Sequence, residues 1–221
     1  MDTWFEQTLL GQYVAQKERQ FFQKHVNVSS KDAAAQIGAA WLRPSENLIY
    51  IPEDMRMNAD EMAWENQSLD MLLLPHSHEF NNAPLLVLAE SARVLKHGGK
   101  LIVTGFNLHS LWGGSKWFDG KLLPERTHCF TLPQFKRQIR EWGFEIEYGQ
   151  FMVYVPPLEN VSALKFGRLL EKAGDRWWPQ CAAVYGLVLV KRVAGVIPLP
   201  EFETELQESP VALTIARVES K

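Results

Sequence analysis

The chain has 221 residues, of which 46% are hydrophobic, 22% charged and 11% aromatic. This balance excludes disordered, collagen-like and coiled-coil chains, and the length favours one α/β domain over two small ones. The net charge of −3 argues against a dedicated nucleic-acid-binding protein, which usually has a basic surplus. Two cysteines, Cys129 and Cys181, are too few for a zinc cage or a disulfide scaffold and suit a reducing compartment.

The N-terminal part predicts one amphipathic helix over residues 3–24, because apolar side chains recur there near helical spacing. Asp2 and Glu6 stand where a secretory signal would be basic, so no signal peptide is expected. The longest apolar run, Cys181 to Val190, is about half of the ~20 residues that a membrane-spanning helix needs. We therefore expect a cytoplasmic protein without a membrane span.

The middle of the chain predicts a strand–helix–strand unit. Leu69–Leu74 is a continuous apolar run, typical of a central parallel strand. Pro84 suits the first turn of a helix, and Gly98-Gly99 would end that helix. Lys100–Thr104 reads as the next strand. A crossover of this kind is right-handed almost without exception.

The other elements are less distinct. Each is predicted from a short apolar or periodic stretch. They are candidate strands at Ala33–Ile37, Asn47–Ile51 and Ala182–Val190, helices at Leu132–Trp142 and Val161–Ala173, and an extended segment at Phe144–Val155. We expect a single domain over residues 1–200, with a cap-like insertion at about 156–180 and a loosely ordered tail at 201–221.

Polar residues follow the two clearest strands, and ligands of open α/β sheets bind beyond the carboxyl ends of the strands. The first loop contains His76, His78 and Glu79, and the second contains Asn107. Imidazole and carboxylate groups are zinc ligands, but no third ligand has recognisable spacing, so we predict no metal. A histidine acting as general base is an alternative. A hydrogen-bonding or aromatic-contact role in a cofactor cleft is the favoured interpretation.

Two segments resemble class I S-adenosylmethionine (SAM)-dependent methyltransferases. Residues 58–72, with Asn58-Ala59-Asp60-Glu61 and Ser68-Leu69-Asp70, resemble the D-x-E-x-L-P-F…S-x-D segment of that family. Arg93–Val103 is similar to its R-x-L-K-P-G-G-x-L segment, with His97 in place of proline. Further stretches over roughly residues 60 to 199 look like an uncharacterised proteobacterial branch of methyltransferase type 11-like proteins.

The resemblance implies a Rossmann-like α/β fold. Its seven-stranded, mostly parallel sheet would have helices on both faces and an antiparallel last strand. The resemblance also implies methyl transfer from SAM to an unknown acceptor. Asn58 and Ala59 would contact the adenine edge after the family's third strand, and Pro75 and His76 would lie near the reactive sulfonium.

The resemblance also sorts the candidate residues by role. The implied cofactor-binding residues are Gln36, Gly38, Glu53, Asn58, Ala59, Pro75 and His76. Those facing the acceptor would be His78, Glu79, Asn107, Trp112 and Arg176. His76 and His78 are the catalytic candidates. Little acid–base machinery is needed when the methyl acceptor is already electron-rich, since in-line displacement depends mainly on alignment.

Three departures from the family pattern concern the cofactor. The glycine-rich loop is reduced to Gln36-Ile37-Gly38, which keeps one of the family's three glycines. In the family, these glycines allow the backbone to approach the cofactor closely. The acid after the second strand, Glu53 or Asp54, is displaced by Pro52, and Asn58 replaces the commoner Asp. Each lost contact is worth about 1–3 kcal/mol, so weakened cofactor binding is expected. The alternative function is a non-catalytic methyltransferase-like protein that serves as a binding or partner module.

Two groups of residues, one aromatic and one basic, each allow two interpretations. The aromatic residues around Trp112 either pack on the sheet edge or form a lid over a flat or apolar substrate. Basic side chains between residues 116 and 140 form either a solvated face or a site for RNA or a phosphorylated substrate. The sequence therefore leaves nucleic acid open as a partner and leaves the oligomeric state undefined.

Overall fold

The computed structural model describes residues 2–114, 123–157, 178 and 181–192. Its elements, in chain order, are α1 (Asp2–Gln7), α2 (Leu9–His25), β1 (Ala34–Ile37), β2 (Ile49–Ile51), β3 (Leu69–Pro75), α3 (Pro84–Val94), β4 (Leu95–Phe106), a 3₁₀ turn (Arg126–His128), α4 (Leu132–Glu141), β5 (Phe144–Met152) and β6 (Val184–Lys191). The predicted helix at 161–173, most of the cap-like insertion and the tail at 201–221 lie outside the described residues.

The six described strands form one mixed sheet with the order β2-β1-β3-β4-β6-β5. β1 pairs in parallel with β2 and β3, and β3 pairs in parallel with β4. β6 runs antiparallel to both β4 and β5. The predicted Rossmann-like sheet with an antiparallel last strand is thus confirmed. Because β2 and β3 flank β1 on opposite sides, the direction of strand addition reverses between β1 and β3, which is where such sheets bind ligands.

Helices cover both faces of the sheet, as predicted. Val14 and Phe22 of α2 belong to the core on one face. Leu88 of α3 and Phe135 of α4 belong to the core on the other. Burial on both faces explains why β3 is apolar from Met71 to Pro75. Within the described part of the chain, no helix combines the length and the apolar character that crossing a bilayer requires.

The single helix predicted for residues 3–24 is wrong, because the helix breaks at Thr8. Thr8 has an extended backbone with φ −99° and ψ 147° and acts as the N-cap of α2. Its hydroxyl donates to the carbonyl of Trp4 at 2.9 Å and accepts from the N–H of Gly11 at 2.9 Å. The apolar spacing continues across this cap, and periodicity alone therefore hides the break.

The expected helix end at Gly98-Gly99 is also wrong. α3 ends at Val94, and β4 begins at Leu95 and contains both glycines. The carbonyl of Arg93 accepts from the N–H of Gln67 at 2.9 Å, and the carbonyl of Val94 accepts from Ser68 at 2.8 Å. Pairing with the chain before β3 therefore extends the backbone earlier than the glycines would.

Residues 52–68, where the family's third strand was expected, contain only an isolated bridge between Asn58 and Glu61. β2 is consequently an edge strand. Asp54 covers that edge, since its carboxylate accepts from the N–H of Tyr50 at 2.8 Å and its own N–H donates to the carbonyl of Tyr50 at 2.8 Å. An edge covered in this way is closed to a further strand.

Candidate cofactor site

The carboxyl ends of β1, β2 and β3 meet at one edge of the sheet. The N–H of Gly38, after β1, donates to the carbonyl of Ile51 in β2 at 2.9 Å. The hydroxyl of Ser77, after β3, donates to the carbonyl of Ile37 in β1. These bonds hold three of the loops that contain candidate cofactor residues against one another.

Gln36 lies on β1, where the family has an acid, and its side chain is fully buried. Its amide nitrogen lies within 3.1 Å of three backbone carbonyl oxygens in the loop that follows. These carbonyls belong to Gly38, Ala39 and Leu42. Gln36 therefore holds its own loop in shape and turns its donor group away from any ligand. Within that loop Ala39 has a φ of 56°, a left-handed conformation that favours glycine.

His76 follows β3 and is completely buried between two carboxylates. Its Nδ1 lies 2.7 Å from Oε2 of Glu79, and its Nε2 lies 2.7 Å from Oε1 of Glu18 on α2. Burial by itself lowers the pKa of His76, but the two carboxylates outweigh it and raise the pKa to about 9. At neutral pH the imidazolium ties α2 to the end of β3, and it has no free nitrogen to accept a proton.

Glu79 connects this ion pair to β4 and β6. Its Oε1 accepts from the N–H of Phe106 at 2.8 Å, and burial raises the pKa of its carboxyl group. A Cβ on Gly105 would meet the hydroxyl of Tyr185 and would lie 3.1 Å from the Glu79 carboxylate. The glycine is thus required for Tyr185 to cross β4 towards Glu79.

His78 points to the other face of the sheet, and the structure does not bring it together with His76 as a pair of ligands. Its ring lies 5.4 Å from that of Phe135 and stacks parallel to that of Phe130 at 6.3 Å. Burial and the positive charge of His76 lower the pKa of His78 to about 3, which keeps it neutral. Neither ring nitrogen has a hydrogen-bond partner among the described residues, and in that part of the chain no three His, Cys, Asp or Glu side chains are grouped to hold a metal.

The N-terminal helix α1 covers the centre of this edge. The ring of Phe5 stacks on that of Trp41 at 4.6 Å and lies 5.5 Å from the ring of His76. Trp4 makes edge contacts with Phe106 and Trp112 at 6.4 and 6.1 Å. Both α1 side chains are at most 2% exposed. Aromatic side chains of the chain itself therefore fill the point between β1 and β3 at which a ligand was expected.

Sequence reasoning missed three of the residues that shape this region: Phe5, Glu18 and Trp41. Glu18 was detectable, because it lies between Val14 and Phe22 at helical spacing on an otherwise apolar face. A charged residue on a buried stripe usually has a partner. No local signal marks the contact between Phe5 and Trp41.

A family profile described as a methyltransferase domain matches residues 11–103. No curated protein matches significantly. One similar solved structure is a complex of the Haloferax volcanii Trm112 methyltransferase activator with a candidate methyltransferase, at 11% identity and a TM-score of 0.54, covering 80% of this chain and 90% of that one. Another is a SAM-dependent methyltransferase from Thermotoga maritima, at 17% identity and a TM-score of 0.53, covering 82% and 90%.

The [4+2]-cyclase SpnF is also similar, at 14% identity and a TM-score of 0.56, covering 83% of this chain and 82% of that one. At these identities the structural likeness establishes the fold alone. The strand order agrees with that fold, and the methyltransferase profile adds a match over less than half of the chain. The chain is similar to class I SAM-dependent methyltransferases in its fold and in the segment that the methyltransferase profile matches.

Three of the residues predicted to contact the cofactor are at least partly accessible. Glu53, after β2, is exposed, and so is Asn58, while Ala59 is half-buried. Asp54, the other candidate for the second-strand acid, is engaged with the backbone of Tyr50. Glu53 is thus the better placed of the two acids to meet a ligand.

Most of the residues predicted to face the methyl acceptor make contacts inside the protein. The side-chain amide of Asn107 donates to the carbonyl of Ala182 at 2.9 Å, and the indole of Trp112 donates to the carbonyl of Val155 at 2.8 Å. Both side chains are buried. Arg176 lies outside the described residues. Asn107 and Trp112 therefore fasten β4 and its loop to the connection between β5 and β6.

Proposed function

We propose that the chain is a SAM-dependent methyltransferase that acts on an unknown acceptor. The observation that carries this proposal is the meeting of the β1, β2 and β3 ends at the strand-order reversal, with Gly38, Glu53 and His76 in the adjoining loops. Parallel α/β sheets bind their ligands at this position.

The residues fit the cofactor at the periphery and not at the centre. Glu53 and Asn58 are exposed and have the acceptor and donor groups that ribose hydroxyls and an adenine edge require. At the centre, Phe5 stands against Trp41 and His76. With α1 docked, the ring of Phe5 occupies the place where the centre of the cofactor would lie.

When bound, SAM would supply a sulfonium methyl group for in-line transfer to an electron-rich acceptor, with S-adenosylhomocysteine as the leaving group. His76 is not the base of such a reaction, because its pKa of about 9 keeps it protonated and both of its nitrogens face carboxylates. Its role is to hold α2 against the end of β3. Because in-line transfer depends mainly on alignment, an acceptor that is already electron-rich would not need His76 as a base.

Calorimetric titration with SAM and S-adenosylhomocysteine tests the proposal. We expect binding with a dissociation constant between micromolar and millimolar, and at least tenfold weaker binding in Asn58→Leu. Asn82→Leu is the matched control, since Asn82 is also exposed and lies outside the candidate site. Failure of both ligands to bind at millimolar concentration would reject the catalytic function. Unchanged binding in Asn58→Leu would reject the adenine position.

The second candidate is a non-catalytic methyltransferase-like module. The commitment of Gln36 to its own loop favours it, because the superfamily's cofactor-binding acid is here replaced by a donor with no free hydrogen-bonding direction. A chain of this kind would be isolated from its source cells with a stable partner and would show no cofactor binding. The molecular mass of the native complex, measured by light scattering, separates it from a monomeric enzyme.

A further inference from the structure

We propose that α1 is a built-in plug of the ligand crevice, which must lift before a cofactor enters. The proposal rests on the proposed function, because it concerns access to the same site. In the docked state Phe5 takes the place between β1 and β3 that the fold reserves for a ligand. The chain would then have a closed form and an open form.

The contacts of Phe5 identify the crevice that it fills. Trp41 belongs to the loop after β1, and His76 stands at the end of β3. Phe5 touches both, stacking on the first at an interplanar angle of 23° and tilting at 39° towards the second. A flat ring therefore already occupies the slot between the two strands at the reversal point, and a bound ligand would compete with it directly.

The walls of the crevice are fixed independently of α1. Glu18 of α2 lies 2.7 Å from Nε2 of His76. The next residue, Arg19, donates from Nη2 to the carbonyl of Trp41 at 3.0 Å. The side-chain amide of Gln36 donates to the carbonyls of Ala39 and Leu42 and so holds the loop that contains Trp41. Removal of α1 would thus expose a formed crevice whose walls α2 and β1 keep in place.

The attachment of α1 suits it to be the movable part. It has six residues, fewer than an isolated helix needs for stability in water. The cap at Thr8 separates it from α2, so it can swing without unwinding α2. Its docking depends on Trp4 and Phe5, and the buried indole nitrogen of Trp4 has no hydrogen-bond partner among the described residues. That unmet bond weakens the closed form.

A plug lowers the apparent affinity for the ligand, because only the open fraction of the molecules can bind it. Full-length Phe5→Ala should shift the population towards the open form, because it removes the ring that stacks on Trp41. Titration with S-adenosylhomocysteine should give a dissociation constant at least tenfold lower than in the wild type. Leu9→Ala is the matched control, since Leu9 is 48% exposed and follows the cap. That control should leave the dissociation constant unchanged.

Amide hydrogen exchange in the wild type provides a second readout that does not depend on the variant folding. Saturating S-adenosylhomocysteine should speed exchange in residues 3–8 at least tenfold and slow it in residues 38–42. Wild-type binding with residues 3–8 still protected would overturn the plug and leave the proposed cofactor intact. Equal affinity in Phe5→Ala and wild type would do the same. Absence of binding in both proteins would reject the plug and the cofactor together, whereas binding without any methylation would reject only the enzymatic function.

Discussion

Two parts of the sheet are stabilised in different ways. The regular part, composed of β3, α3, β4 and α4, consists of strands and helices whose apolar faces pack together. The irregular part, residues 38–48 and 52–68, contains no helix and is held by single polar side chains together with a few buried apolar ones. Gln36 and Asp54 bind backbone groups there, and Arg93 of α3 donates to the carbonyls of Met62 and Trp64 at 2.7 and 2.8 Å. Packing distributes stability over many residues, whereas the irregular part depends on a few.

The junction between the regular part and α2, at His76, should show the largest effect. His76→Ala would leave the carboxylates of Glu18 and Glu79 buried without their shared cation. Loss of one partner of a buried ion pair costs about 3–5 kcal/mol. Urea unfolding should show a decrease of this size, with His97→Ala, at an exposed position, as the control. A loss below about 1 kcal/mol would mean that this contact does not stabilise the docking of α2 on the end of β3.

The same junction predicts a dependence of stability on pH. The pKa of folded His76 is about 9, above its ordinary value of 6.5, because Glu18 and Glu79 face it. The stabilisation is complete below pH 6.5 and is lost as the pH rises through 9, by about 3 kcal/mol in total. His78 is neutral and adds no charge to the site. Burial raises the pKa of Glu79, so its deprotonation also lowers the stability as the pH rises, over a lower pH range.

Urea midpoints at pH 6 and pH 9.5 measure this difference. His76→Gln, which removes the titrating group and keeps a polar side chain, should flatten the profile between these values. A wild-type profile as flat as that of the variant would contradict the protonated state of His76.

Gln36→Glu tests the irregular part directly. This substitution restores the superfamily's acid, but a carboxylate would face three carbonyl oxygens in place of an amide donor. We expect a loss of about 3 kcal/mol in the free energy of unfolding. The buried carboxylate would have no partner, and the three carbonyl oxygens would lose the amide group that donates to them. Gln20→Glu, at an exposed position on α2, is the control and should change stability by less than about 0.5 kcal/mol. Unchanged stability in Gln36→Glu would show that the loop after β1 can adopt a second shape.

The same division explains what the sequence could predict. In the regular part the information is local: Leu69–Leu74 reads as a buried strand, and Pro84 marks the start of α3. In the irregular part the information is not local. The sequence shows that Gln36 departs from the acid of the family pattern, but it does not show which three carbonyls its side chain reaches, because these depend on how the loop turns. The contact of Phe5 with Trp41 joins two segments that show no periodic relation to each other.

The sequence predicts a candidate site at the carboxyl ends of the strands, but it does not predict the aromatic side chains of α1 that cover this edge. The strand order requires the loops after β1, β2 and β3 to meet, so the positions of Gly38, Glu53 and His76 follow from the fold. Occupation of the centre by α1 depends on the break at Thr8, which redirects two aromatic residues towards the crevice. A cap within a continuous apolar pattern is the kind of signal that periodicity does not resolve.

The smallest effect should come from the regular part, at the cap of α4. The hydroxyl of Thr131 accepts from the N–H of Gln134, and the side chain of Gln134 accepts from the N–H of Thr131 at 3.0 Å. Thr131→Ala should lower the free energy of unfolding by about 1 kcal/mol, with Thr131→Ser close to wild type because it keeps the hydroxyl. A loss as large as that of Gln36→Glu would abolish the distinction between the two parts. A loss of the expected size would show that α4 is stabilised mainly by the burial of Phe135 and Ile139, with the cap as a local addition.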